Sequence, residues 1–555
     1  MALHYSPDEV EFYLVDFKKG VEFKAYANNR LPHARVIAIE SDREFGLSVL
    51  VRLDEVLQER GDLFRDQGVQ DVAGYRKANP DARMPRIMLI VDEFQEFFVE
   101  DDQLSQKSAL LLDRLVRQGR AFGIHVLLGS QTLGGAYSLA RSTMGQIAVR
   151  IALQCSEADA HLILSEDNMA ARLLSRPGDA IYNDANGLIE GNHPFQIAWL
   201  GDEERDVHLG HVATRTTADQ IETPATIVFE GNVPADPVHN IELVTQLQSR
   251  SEPSATVRPS NRLRLWLGDP VSISEPAAID VRRQGGHNVL IIGTDENLAS
   301  GIESVAMVSI ASQLPNPASD SPTDDQDHHS DEAGNSLPAS IYLLAPEDES
   351  SDDIELWDNV SETLGRCVQR VKPRKANDTI ITVHQELRRR IDGDREKEAP
   401  VVMVIHNLSR FRDLRRDEDD FGFGGSLGED KPVSVSKLFG ELLKDGPALG
   451  VHVICWSDTW NNATRWLSNQ LLREFEIRVA FQMNPNDSTN LLDSPAASRL
   501  GPNRAILYRD DTGTAEKFRP YGRPDSGWLK QVNRLMNGDD ITEASSEDLD
   551  AWTVL

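Results

Sequence analysis

The chain has 555 residues, enough for two or more domains that each bury a core. Its 40% apolar and 26% charged content is that of a globular protein, and no apolar run is long enough to cross a bilayer. A net charge of −32 is the wrong sign for a chain that coats nucleic acid unaided, although local basic patches stay compatible with it. Cys155, Cys367 and Cys455 lack metal-ligand spacing, which points to core cysteines, a reducing cytosol and no disulfide framework. Any membrane association is then expected through a partner.

Residues 1–205 alternate strand-like and helix-like segments. "EFYLVDF" (11–17) reads as a buried strand and 43–64 as an amphipathic helix. "IMLIVDEFQEF" (87–97) runs an apolar strand straight into Asp92 and Glu93. The spacing predicts a helix over 104–123, with Leu104, Leu111, Leu112 and Leu115 on one side and Gly123 as its terminator. Strands are expected at 124–131 and 146–155, then a hairpin turning at Ala185-Asn186-Gly187. The alternation predicts an α/β fold with mostly parallel sheets covered on both faces.

Residues 206–262 read as a linker region with one or two short strands, and a second alternating unit spans 263–525. An insertion at 314–338, rich in Ser, Pro and acidic residues, is too polar to bury a core and is expected to be disordered. Its His328 and His329 read as part of a solvated segment rather than a metal site. Residues 410–432 read as a second mobile insertion and 526–555 as an acidic tail. The basic runs "LRRR" (387–390) and "RDLRR" (412–416) read as solvent-facing charges rather than a DNA track.

The two units repeat one another. Gly119, Ala121, Gly123, His125, Val126, Ser130 and Thr132 recur as Gly446, Ala448, Gly450, His452, Val453, Ser457 and Thr459. "VRIALQC" (149–155) pairs with "IRVAFQM" (477–483), and "FYLVDF" (12–17) with "IYLLAP" (341–346). Blocks that agree in order and register indicate one domain present twice.

Aligned on this repeat, Asp92-Glu93 faces His406-Asn407. A strand ending in such a carboxylate pair suits a magnesium ion and an attacking water, and it needs a phosphate-cradling loop of the form G-x-x-x-x-G-K-[S/T]. In the second copy "HNVLIIGTDENLASGIES" (287–304) stands where that loop belongs. Gly293 and Ser300 remain, but Leu298 and Ala299 occupy the Gly and Lys places, and Asp295 and Glu296 face the phosphates with negative charge. With nothing cationic left, this copy is expected not to hydrolyse nucleotide. In the first copy the strand "EFYLVDF" is the one that follows such a loop, so the loop itself is expected ahead of Met1.

"YLVDFKKG" (13–20), "LIVDEFQEF" (89–97), "RQGRAFGIHVLLGSQ" (117–131), "VRIALQCSEADAHLIL" (149–164) and "AARLLSRPGDAIYN" (170–183) resemble the FtsK/SpoIIIE family of RecA-like motor ATPases. The resemblance implies an ATP-dependent DNA translocase present as a partial chain, with an EccC-type secretion ATPase, built as tandem modules, or a non-catalytic docking module as the alternatives. The resemblance implies two tandem RecA-like P-loop NTPase modules, the first without its N-terminal phosphate-loop segment. It implies ATP and Mg²⁺ as cofactors, provided that an upstream loop is supplied. By the same resemblance Asp92 holds Mg²⁺ through water, Glu93 acts as general base and Gln131 senses the γ-phosphate. Arg120, with Arg150 as the alternative, is the arginine finger, though Arg120 reads equally as a cap on its helix dipole. Asp16 and Lys18 shape the nucleotide edge or are plain surface charges. The implied partners are double-stranded DNA, a ring of like subunits, and a protein or peptide docked on the second module.

Overall fold

The computed structural model describes residues 1–18, 23–134, 141–250, 261–314, 337, 339–346, 351–393, 398–416 and 434–537. Most of the insertion expected at 314–338, most of the second one at 410–432 and the end of the tail lie outside these residues. The chain divides into two compact units, residues 1–233 with 271–274, and residues 234–270 with 275–555.

In the first unit, β1 (Val10–Asp16), β2 (Ala34–Ile39), β3 (Arg86–Asp92) and β4 (Ile124–Leu128) belong to one parallel sheet. Three further strands, β5 (Arg150–Leu153), β6 (Asp179–Asn183) and β7 (Asn192–Gln196), form a separate antiparallel sheet. The parallel sheet is completed by β8 (Ile227–Glu230), and its order is β4-β3-β1-β2-β8. Its strands are apolar on both sides because both sides are covered. Tyr13, Val15, Leu89 and Val91 pack into one core, and Phe12, Leu14, Ile37 and Ile39 into another. The region expected as a linker supplies β8 and most of the helix Asp202–Ala218, whose Leu209 and Val212 join the second of these cores.

The helix Arg43–Asp66 matches expectation, and its Val49, Leu50 and Leu53 are buried. The helix expected over 104–123 is shorter, Gln103–Gln118. It presents Leu111, Leu112 and Leu115 to the core and starts on Asp102, whose side chain accepts from the Ser105 N–H. It stops early because the chain doubles back: the Ile124 N–H bonds to the Gly119 carbonyl at 2.8 Å, and Gly123 takes φ +75°. β4 and β5 are also shorter than expected. The hairpin is present, with Asn186 and Gly187 at positive φ and the Asn183 side chain accepting from the Gly187 N–H.

The second unit begins its sheet with β9 (Arg262–Pro270), β10 (Ala277–Arg282) and β11 (Val289–Ile292). It continues with β12 (Ile341–Leu344), β13 (Val368–Val371), β14 (Val401–Ile405) and β15 (Val451–Ser457). β16 (Ile477–Ala480), β17 (Ala505–Arg509) and β18 (Thr514–Pro520) complete it. The order is β10-β9-β18-β17-β16-β11-β15-β14-β12-β13. The strands from β16 to β13 run parallel and the rest antiparallel. Residues 526–537, expected at the head of the acidic tail, instead form a helix that buries Trp528, Leu529 and Val532 in the core.

The repeat extends to strand register. Phe12 pairs with Met88 as Ile341 pairs with Val402, and β4-β3-β1-β2 corresponds to β15-β14-β12-β13. In the "LRRR" run Arg388 and Arg389 are exposed as expected, but Arg390 is buried and bonds Glu386 and the Leu449 and Ala399 carbonyls.

Candidate functional site: a carboxylate edge and its filled counterpart

In a parallel sheet the carboxyl ends of the strands share one edge, and that is where β1 and β3 deliver their acids. Asp16 and Asp92 are direct register partners across these strands. Asp16 is 1% exposed and accepts the Lys18 backbone N–H at 2.9 Å. The Asp92 side chain accepts the Glu93 N–H at 3.0 Å. A Cβ on Gly129 would come within 2.9 Å of that carboxylate, so glycine is what lets the end of β4 lie against Asp92.

Glu93 leaves the strand in the left-handed conformation, φ 56° and ψ 45°, a strained position for a side-chain-bearing residue. The turn aims its carboxylate back along the sheet edge. There it accepts from Lys18 Nζ at 2.8 Å, from the Gln95 amide, and from the Gln131 N–H at 3.5 Å. Ser130 Oγ donates to Gln95 Oε1 at 2.6 Å and so steadies the amide. Burial pushes the Glu93 carboxyl up, but the bonds from Lys18, Gln95 and Gln131 outweigh it and hold the group below its ordinary range.

The structure thus brings Asp16, Asp92 and Glu93 together. Gln131 reaches them through its backbone, while its side chain is exposed. Arg120 is exposed at the opposite end of the sheet, near His125, whose pKa is lowered chiefly by burial and further by the Arg86 and Arg120 charges. A strand of β4's length puts it on the order of 15 Å from Glu93. Arg150 bonds the Ile147 and Ile163 carbonyls, and Arg478 bonds those of Phe475 and Leu491 at the same sequence offsets. Arg150 is therefore a strand-to-helix tie. Sequence reading placed Lys18 at the nucleotide edge or on the surface but did not pair it with Glu93, and it did not single out Gln95.

In the second unit the same edge is filled. Asn407 keeps the left-handed turn of Glu93, φ 59°, but its side chain accepts from Ser409 Oγ instead. His406, fully buried, bonds Glu303 Oε2 at 2.6 Å through Nδ1 and faces Glu296 Oε1 at 3.4 Å through Nε2. Trp357 and Trp456 flank its ring at 5.0 and 4.6 Å. Gly293 keeps a glycine-only backbone, φ 148°, with Phe481 packed where a Cβ would stand. Leu298 and Ala299 are buried. Asp295 caps the following helix by accepting the Leu298 N–H, which occupies the helix end where a phosphate would bind.

Sequence reading expected no cation near this loop; the structure corrects that. Arg523 Nε donates to Ser300 Oγ at 2.8 Å, and its guanidinium is held by Asp353. Ser300 is further tied to the Glu296 carbonyl. The residues at this edge do not fit a nucleotide triphosphate. Those of the first unit fit the Mg²⁺-facing half of such a site, since three carboxylates converge at one strand edge. Among the described residues no group of three or more His, Cys, Asp and Glu side chains is arranged to hold a metal ion directly.

Residues 1–135 match the model of the FtsK/SpoIIIE family. This stretch is an FtsK/SpoIIIE-family domain. The ESX secretion system protein YukB of Bacillus subtilis is 22% identical over 562 residues, covering 95% of this chain and 34% of the relative. The DNA translocase FtsK of Lactococcus lactis is 25% identical over 270 residues, 44% of this chain and 34% of the relative. The chain's matches thus span about a third of the length of these relatives. Among solved structures, the cytoplasmic domain of the Thermomonospora curvata Type VII secretion ATPase EccC superposes with a TM-score of 0.57 at 18% identity. It covers 97% of this chain and 60% of that one, so tandem RecA-like modules with mostly parallel sheets are the fold. Among the described residues no helix is long and apolar enough to cross a membrane.

Proposed function

We propose that the chain is part of an FtsK/SpoIIIE-type ATPase that drives polypeptide secretion, with one module built for hydrolysis and one without nucleotide chemistry. The observation that carries the secretion reading is the reach of the relatives. The likeness to the secretion protein YukB runs through both units, 95% of the chain, whereas that to the FtsK translocase stops at 44%. The net charge of −32 also favours a polypeptide cargo over duplex DNA.

In this reading Glu93, kept ionised by Lys18 and Gln95, is the general base toward an attacking water. Asp92 would hold a magnesium ion through water, and Asp16 adds charge to the same edge. Gln131 acts through its backbone, which fixes Glu93. Arg120, remote from its own module's carboxylates, serves as an arginine finger only toward a neighbouring subunit in a ring. Bound Mg²⁺–ATP would supply the phosphoanhydride and the counter-charge; its phosphate cradle is not among residues 1–205, which hold no G-x-x-x-x-G-K-[S/T] pattern. The second unit, its edge closed by His406, Glu303 and Arg523, is a docking platform for protein or peptide.

The test is a chromosomal Glu93→Gln substitution in the source organism, followed by mass spectrometry of the culture medium. A defined set of exported proteins should vanish while chromosome segregation stays normal. An unchanged medium with trapped nucleoids would establish a DNA translocase instead.

A further inference from the structure

Ser130 and Thr132 recur in the second unit as Ser457 and Thr459, yet the two pairs are bonded differently. In the first unit they belong to a chain of hydrogen bonds whose direction is fixed from one end. The Glu93 carboxylate only accepts, so Gln95 turns its amide N–H groups toward it and its Oε1 away. Gln95 Oε1 therefore needs a donor, and Ser130 Oγ supplies it at 2.6 Å. The Ser130 hydroxyl in turn accepts the Thr132 N–H at 3.2 Å and shares its proton with the Thr132 carbonyl, 2.5 Å away.

The far end of this chain is Asp159, in the helix Glu157–Ile163 that follows β5. Its Oδ1 accepts the Thr132 hydroxyl at 2.9 Å and the Leu133 N–H at 3.0 Å, and its Oδ2 accepts from Ser156 Oγ at 2.7 Å. Burial pushes the Asp159 carboxyl up, but these bonds outweigh it and hold the group below its ordinary range. The contact lies at the first turn of the helix, away from the Ile163 and Leu164 carbonyls that Arg150 holds at its end. In the second unit the same positions are bonded otherwise. Thr459 Oγ1 accepts the Asn462 N–H and caps the helix Trp460–Trp466, and Ser409 Oγ turns to Asn407. Asp487, the counterpart of Asp159, is bonded by Asn484. Among the described residues Ser457 makes no bond to Ser409, and Thr459 none to Asp487. The path from helix to sheet edge thus exists where the edge carries an acid and is missing where Asn407 replaces it.

We propose that Asp159 is a positioning residue for Glu93: it pins residues 130–133, and through Ser130 and Gln95 that turn orients the carboxylate. This role rests on Glu93 being the general base. A glutamine side chain rotates about three bonds, so the Gln95 amide is only as fixed as the partner of its Oε1. A serine hydroxyl rotates as well, and it is fixed only if the turn that carries it is fixed. Asp159 does this with charge-assisted bonds, which are about twice as strong as neutral ones. Lys18 supplies Glu93 with a counter-charge; Asp159 governs where its Oε2 points. A displacement of the helix Glu157–Ile163 is thereby felt at the base, although the two share no direct contact.

Selective nitrogen-15 glutamine labelling of residues 1–555 tests this path, with Gln95→Ala to assign the Gln95 amide by its loss. A donated N–H shifts downfield and is shielded from water, so that amide should exchange at least about 10-fold more slowly than an exposed glutamine's. Asp159→Ala should erase both signatures. Asp159→Asn should keep them, because its amide oxygen still accepts from Thr132 and Leu133. Both variants remove the same charge, so the difference between them isolates the bonds, and both keep Ser156 as the helix cap. Ser130→Ala should do what Asp159→Ala does, and the two together should do no more than either. An unmoved Gln95 amide in Asp159→Ala, equal effects of Ala and Asn, or effects that add would overturn the role. In the source organism Asp159→Ala should lower export as Glu93→Gln does, while Asp159→Asn spares it. Export intact in Asp159→Ala but blocked in Glu93→Gln would also overturn the role. If Glu93→Gln itself leaves export intact, the secretion reading falls instead, and the Gln95 amide still decides whether Asp159 positions Glu93.

Discussion

Lys18 shows how a single side chain sets the state of a buried acid. Glu93 is almost enclosed, and enclosure alone favours its neutral form; the Lys18 ammonium at 2.8 Å tips the balance. A carboxyl held low stabilises the fold above its unfolded value, about 4.3, and loses that contribution as pH falls through the lower folded value. Lys18→Met should therefore raise the Glu93 pKa, read by carbon NMR of the labelled carboxyl, and make stability fall with rising pH where the natural chain gains. His406 is the opposite case. Burial pushes Glu303 up, and among the described residues its Oε1 has no hydrogen-bond partner, so His406 is its main polar contact. His406→Leu should cost the second unit about 3 kcal/mol in urea unfolding, and more above pH 7 than near pH 5, because the unfolded chain then gains by ionising Glu303. Adding Glu303→Leu should recover most of the loss.

At the scale of elements, the repeat makes paired predictions. Gly123 and Gly450 both take φ +75° in the turns that feed β4 and β15, and in each a Cβ would meet an arginine, Arg60 or Arg283, at 3.1 Å. Alanine at either glycine should cost about 1–2 kcal/mol in its own unit, measured by chemical denaturation. Arg150 and Arg478 hold the same carbonyl pairs, so Arg150→Ala should loosen β5 against the following helix without altering the Glu93 pKa. That outcome would separate a structural tie from an arginine finger. Arg120→Ala should leave stability unchanged, since the residue is exposed in a turn.

For the whole molecule, the contrast between an open carboxylate edge and a filled one predicts where nucleotide can act. The second unit should bind no ATP at millimolar concentration by calorimetry, because Asp295, Glu296 and the Arg523–Asp353 pair occupy its cradle. Restoring Gly and Lys at Leu298 and Ala299 alone should not rescue binding, since both positions are packed in the core.

The sequence by itself determined the period-two and helical patterns, the acids at the end of β3 and the tandem repeat, because these depend on neighbours along the chain or on identical residues recurring in register. It also showed that residues 293–300 lack the second Gly and the Lys of a phosphate loop, since Leu298 and Ala299 are the wrong residue types wherever they point. Only the tertiary structure decided that Lys18 meets Glu93 across 75 residues, that Glu303 and Arg523 close the second edge, and that Arg120 stands at the far end of the sheet. Those facts arise from strands and loops distant in sequence being brought to one edge. Local periodicity carries no record of which side chains will share it. The same holds for "VRIAL" and "IRVAF", which read alike although Ile151 and Leu153 are half exposed where Val479 and Phe481 are buried.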